Sequence, residues 1–96
     1  MYEFKVYNFA TDWLPRPGVY IFAHEHQPGY WSGHYVGTCG SFKDRITVNH
    51  HKWGLAKVRG ATHVHALVHH GGEAERFAIE RDLIERLQPS CNDTFV

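Results

Sequence analysis

The chain has 96 residues, 43% of them hydrophobic and 15% aromatic, which sets the scale of one small domain over residues 1–96 with a single modest core. Ten basic and ten acidic side chains give zero net charge with histidine neutral, which argues against a strongly basic, indiscriminate coat for nucleic acid. No apolar run approaches the roughly 20 residues of a membrane span, and Met1-Tyr2-Glu3-Phe4-Lys5 alternates apolar with charged residues instead of forming a leader, so a soluble, cytoplasmic protein away from membranes is expected.

Tyr2 to Phe9 alternates partly with period two and reads as a short strand. Pro15 and Pro17 then fix φ and exclude a helix. Gly18 to Ala23 is β-rich and reads as a buried strand. His26-Gln27-Pro28-Gly29 is a turn signal, with Tyr30 to Gly33 extending it as a loop. His34 to Thr38 forms the second strand, antiparallel to the first if a hairpin joins them. Ser41 is placed to cap a helix running from Phe42 to about His51, with Asp44 three residues on. Trp53 to Arg59 reads as a second short helix stopped by Gly60, and Ala61 to His69 as a third strand. Glu73 to Leu87 is the clearest helix, with acids in its first turn, Arg86 in its last and Pro89 beyond. A hairpin followed by helices, one strand and a last helix predicts an α+β fold: a small antiparallel sheet of about three strands, with room for an extra N-terminal strand, flanked by helices.

Charge is unevenly spread. Residues 41–60 carry Lys43, Arg45, Lys52, Lys57 and Arg59 against Asp44 alone, giving +4. Such a stretch is enough to engage phosphates on a neutral protein, though an ordinary solvated face has the same composition. Cys39 and Cys91 have no CxxC spacing, so reduced, partly buried thiols are expected. Nine histidines are many; His24/His26 and His63/His65 are each spaced to share one strand face and offer a weaker reading as a histidine-rich metal-binding protein.

Glu80 breaks the helix pattern. At roughly 100° per residue from Phe77, Glu80 falls near 300°, inside the arc marked by Leu83, Leu87 and Ile84. An ionised carboxylate in an apolar arc is costly unless paired. It is either held by an arginine or backbone amides, or it is an oxygen ligand for Mg²⁺ or Mn²⁺. Arg45 lies among Phe42, Val48 and Asn49, either as a surface arginine lying over apolar neighbours or as a guanidinium for a phosphoryl group. Tyr20 and Tyr35, on the two hairpin strands, are ordinary core aromatics by their sequence alone. Asn92 is by itself a turn residue.

Taken in order, Gly18-Val19-Tyr20, Tyr35-Val36-Gly37, Arg45, Glu80 within Ala78 to Ile84, and Pro89 with Asn92 resemble the GIY-YIG nuclease family over roughly residues 17–93. The resemblance implies a metal-dependent endonuclease that cuts DNA by a one-metal, tyrosine-assisted hydrolysis. Tyr20, Tyr35, Arg45, Glu80 and Asn92 would be its catalytic set, with Glu80 holding the single divalent metal. Lys43, Lys52, Lys57 and Arg59 would line the same cleft and bind DNA. Fourteen residues separate Tyr20 from Tyr35, a few more than usual, and the excess is expected in the hairpin loop. Thr38 stands where some relatives carry lysine. The family often has tyrosine or histidine four residues past the arginine; here Asn49 stands there with His50 and His51 behind it, making Asn49 and His50 the supporting positions. Thr38 in place of that lysine, together with the zero net charge, sustains an alternative, a DNA-binding module that keeps the fold without turnover. The 96 residues are expected to leave no room for a separate recognition domain, so the sequence leaves open which DNA is cut and whether a guiding partner protein or a homo-oligomer takes part.

Overall fold

The computed structural model describes residues 2–92; Met1 and residues 93–96, the ends of the expected domain, lie outside them. Seven elements follow in order: β1 (Lys5–Asn8), β2 (Gly18–Gln27), β3 (Tyr30–Cys39), α1 (Phe42–Arg45), α2 (Trp53–Val58), β4 (His63–Val68) and α3 (Glu73–Leu87). The four strands form one antiparallel sheet in the order β1-β4-β2-β3. The N-terminal strand is thus the fourth, and it pairs with β4 rather than with the hairpin.

Strand alternation splits the core into two layers. On one face Tyr20 and Phe22 of β2 pack with Val64 and Ala66 of β4 under Phe42, Ile46, Trp53 and Ala56. On the other, Val19, Ile21, Ala23 and Val36 meet Ile79, Leu83 and Ile84 of α3. Phe22 is fully buried at the centre of the first layer, its ring against Phe9, Tyr20, Tyr35, His50 and Trp53.

Three expectations are corrected. Tyr30 to Gly33 is strand, not loop: only Pro28 and Gly29 separate β2 from β3, with Gly29 at φ 82° and its N–H donated to the Glu25 carboxylate at 2.8 Å. The excess length therefore lies in the strands, and the register absorbs it. Phe22 faces Tyr35 while Ala23 faces Gly33, leaving His34 as an extra residue; a second slip leaves His26 extra on β2. Next, α1 is a single turn. Ser41 caps it as expected, accepting from Asp44 N–H at 3.4 Å. The Thr47 hydroxyl then accepts from Asn49 N–H at 3.3 Å, and the β-branched Thr47 and Val48 disfavour continuation, so the chain leaves helical geometry at Ile46. Finally, the face of α3 turned to the sheet is centred on Ile79 and Leu83; Phe77 and Leu87 are 49% and 41% exposed.

Phe22→Ala removes a ring enclosed on all sides, so its stability should fall by about 3–5 kcal/mol. Urea unfolding followed by circular dichroism measures this; a loss below about 1 kcal/mol would mean that the ring is not the centre of the layer.

Candidate active site

The two tripeptides carry their glycines for reasons of space. Gly37 lies opposite Tyr20 in the hairpin. A Cβ there would stand 2.5 Å from the Tyr20 Cζ and Oη, so the phenol crosses β3 only because residue 37 has no side chain. Gly18 is enclosed likewise: a Cβ would strike the Leu67 carbonyl oxygen and come 2.5 Å from the Phe42 ring. Both glycines thus serve close packing around the tyrosine, and neither has a positive φ.

Tyr20 is fully buried, yet its phenol is not left without a partner. Its Oη lies 2.6 Å from His50 Nε2. His50 Nδ1 accepts the Lys52 backbone N–H at 3.0 Å, so in the neutral imidazole Nε2 must carry the proton and donate it to Tyr20. Burial, then the charges of His51 and Arg45, holds the His50 pKa down to about 4. Burial pushes the Tyr20 phenol well above its ordinary value, with Tyr35 adding to the rise and Arg45 opposing it. Tyr20 is therefore a neutral phenol that accepts from His50 and keeps its own proton to donate.

Tyr35 packs beside it. The two tyrosine rings are 6.2 Å apart between centroids, and Tyr35 meets His50 and His51 edge-on at 5.4 and 6.0 Å. Tyr35 is only half-buried, unlike Tyr20. Arg45, exposed at the end of α1, lies near enough for its charge to oppose the rise in the Tyr20 pKa. Asn49 is exposed, whereas His50 is buried. Of the two supporting positions, the structure brings His50 to Tyr20.

Asn92 lies beside the same strand. Its side-chain amide donates to the Val36 carbonyl and accepts the Val36 N–H, both at 2.8 Å, while Cys91 N–H donates to His34 O at 2.9 Å. These bonds pair the open edge of β3 on either side of Tyr35 and hold the C-terminal segment there.

Glu80 comes from the far layer. It is half-buried on the sheet-facing arc of α3, and burial pushes its carboxyl up from the ordinary value. Among the described residues nothing joins it by a hydrogen bond or ion pair, so neither an arginine nor backbone amides hold it. No group of three or more histidine, cysteine or acidic side chains able to hold a metal occurs among the described residues. A half-buried carboxylate without a partner among the described residues fits a hard cation such as Mg²⁺ or Mn²⁺, which takes one or two carboxylates and keeps much of its water shell.

Most of the paired histidines have local partners, while His65 Nε2 is buried without a hydrogen-bond partner among the described residues. His24 Nδ1 lies 2.7 Å from His34 Nε2, His26 bonds Ser32, and the Trp31 ring meets His63 and His65 edge-on. Cys39 and Cys91 are buried, free thiols. Lys43, Lys57 and Arg59 are exposed; Arg59 Nη1 reaches Ser90 O at 3.5 Å, which sets it beside the C-terminal segment. Lys52 is half-buried just after His50. Among the described residues no helix is long and apolar enough to cross a membrane.

A four-stranded antiparallel sheet with these helices and these two tripeptides side by side defines a GIY-YIG-like domain. Among solved structures, it is similar to the GIY-YIG N-terminal endonuclease domain of UvrC from Thermotoga maritima. A point mutant of that domain bound to its catalytic divalent cation superposes with TM-score 0.67 at 23% identity, over 85% of this chain and 88% of that one. The same domain bound to magnesium gives TM-score 0.66 at 24% identity, over 84% and 88%. No protein-family model and no curated protein matches the sequence.

Two pH effects follow. His50 is more acidic folded than unfolded, so the unfolded state binds the extra proton. Its contribution to stability is complete above about pH 6.5, the ordinary histidine value, and is lost as pH falls towards about 4. Thermal melts of His50→Gln from pH 7 to 4 should show a shallower acid decline than wild type; an unchanged decline would mean that His50 does not titrate on unfolding. Glu80 has the opposite sign, because its raised pKa means that the folded state binds the proton more tightly. Its charge costs stability as pH rises through the ordinary glutamate value of about 4.3 and above. Glu80→Gln should melt higher than wild type at pH 7, with the gap closing near pH 4. Added Mg²⁺ should raise the wild-type melting temperature alone; an equal rise in both proteins would exclude Glu80 as the ligand.

Proposed function

We propose that the chain is a metal-dependent endonuclease that hydrolyses DNA phosphodiester bonds, acting as a single domain. The observation that carries this reading is the convergence of Tyr20, Tyr35, Arg45 and His50 on one face of the hairpin. Four groups able to donate or accept protons around one small volume exceed what packing requires.

The roles follow from the environments. Tyr20 stays neutral and accepts from His50, so its own O–H is left to donate and would orient the attacking water or a phosphate oxygen. Tyr35 is the more accessible phenol and is assigned as the general base: ionised to the phenolate, it would take the proton from that water as the water oxygen bonds to phosphorus and the bond to the 3′-oxygen breaks. The Arg45 guanidinium supports charge on the phosphoryl oxygens. Glu80 would hold Mg²⁺ or Mn²⁺, and the bound ion would supply positive charge where the 3′-oxygen leaves. Asn92 keeps the strand carrying Tyr35 in place through Val36. Lys43, Lys52, Lys57 and Arg59 are assigned to the flanking DNA backbone, with binding that weakens as salt rises.

The test is cleavage of duplex, branched, nicked and single-stranded DNA with Mg²⁺, with Mn²⁺ and with chelator. Cleavage is expected only with metal. Tyr20→Phe and Tyr35→Phe should each slow single-turnover cutting by at least about tenfold while keeping the fold. DNA binding with no cleavage under any metal would instead favour the module without turnover. Wild-type rates in both phenylalanine variants would remove the tyrosines from the chemistry.

A further inference from the structure

The terminus of β3 and the first turns of α3 enclose a recess of about 240 Å³. Thr38, Cys39 and Gly40 form one wall, Arg45 another, and Glu73 and Arg76 close it from the helix. Arg76 has no place in the catalytic set. It precedes Glu80 by four residues, so the two share one helix face. Its Nε is buried and has no hydrogen-bond partner among the described residues.

That combination needs a reason. A buried cationic N–H without an acceptor is among the costlier defects a fold can carry, and native proteins satisfy nearly all such groups. Arg45 and Arg76 moreover bring two like charges to one small space, which is unfavourable until an anion lies between them. Glu73 does not neutralise Arg76: it is exposed, and no ion pair joins them among the described residues. Thr38 is uncharged, so the second cation of the recess is the one the helix provides. A guanidinium fork offers parallel N–H groups that match two oxygens of a phosphate.

We propose that Arg76 and Arg45 form a binding site for one phosphate of the DNA strand, adjoining the phosphodiester that is cut. This deepens the endonuclease reading and rests on it. Arg45 is shared: its charge acts on Tyr20, and it lines the recess. A strand phosphate seated at Arg76 sets the register of the backbone, one helical turn from the Glu80 carboxylate.

Two probes test this on the full chain. Inorganic phosphate is titrated into isotopically labelled protein while the arginine Nε–H resonances are observed. The Arg45 and Arg76 signals should move together and saturate; in Arg76→Lys the Arg45 response should weaken severalfold. A fluorescent duplex is then titrated in metal-free buffer across a salt series. Arg76→Ala should bind more weakly, with the slope of log K against log salt shallower by about 0.9, the loss of one phosphate contact. Arg76→Lys should recover most of the slope and only part of the affinity. Thermal melts check that both variants fold. Phosphate that moves neither resonance overturns the site. So does DNA binding whose affinity and slope are unchanged in Arg76→Ala, a result that leaves the endonuclease reading standing. Phosphate uptake at both arginines without any DNA binding would keep the recess and remove the DNA reading.

Discussion

The buried Tyr20 phenol is the constraint on which the surrounding structure depends. A hydroxyl this enclosed must be bonded, and the partner it meets is His50 at 2.6 Å. Satisfying that bond sets several other features. Residue 37 must lack a side chain so that the ring can cross β3. The chain after α1 must leave helical geometry so that His50, not Asn49, turns inwards. His50 must stay neutral, which burial and the nearby charges of His51 and Arg45 ensure. One hydrogen bond thus connects the hairpin, the short α1 and the loop behind it.

The second organising feature is the sheet as a partition. Tyr20, Tyr35 and His50 lie on the layer under α1 and α2, while Glu80 belongs to the layer of α3. Where β3 ends, Arg45 and Arg76 from the two sides line one recess. The proposed chemistry therefore needs both faces of a thin sheet at one corner. The pairing of Asn92 and Cys91 with β3 keeps the edge strand of that corner from fraying or pairing elsewhere.

Of the polar groups without a partner among the described residues, Arg76 Nε and the Glu80 carboxylate sit on α3, and His65 Nε2 sits on β4. The histidine-rich end of the hairpin, in contrast, is satisfied internally through His24 with His34 and His26 with Ser32. Many histidines gave the sequence a metal-binding look, but His24, His26 and His34 are paired within the sheet.

Element order, the antiparallel hairpin, the Ser41 cap and the last helix were legible in the sequence, because each depends on local pattern: period two, a capping hydroxyl, period 3.6. So was the resemblance that singled out Tyr20, Tyr35, Arg45, Glu80 and Asn92, since it needs only spacing and residue type. The placement of Glu80 on the inner arc followed from its angle on the helix, although Phe77 and Leu87, used to mark that arc, are largely exposed. The tertiary structure alone decided where the extra hairpin residues go, because bulges at His34 and His26 depend on pairing between strands. It alone chose His50 over Asn49, since a hydroxyl diverting the backbone at Thr47 and a buried phenol 30 residues away act together. Arg76 carried no signal in the sequence at all: a single arginine in a charged helix acquires meaning only when folding buries its Nε without a partner and sets it across a recess from Arg45.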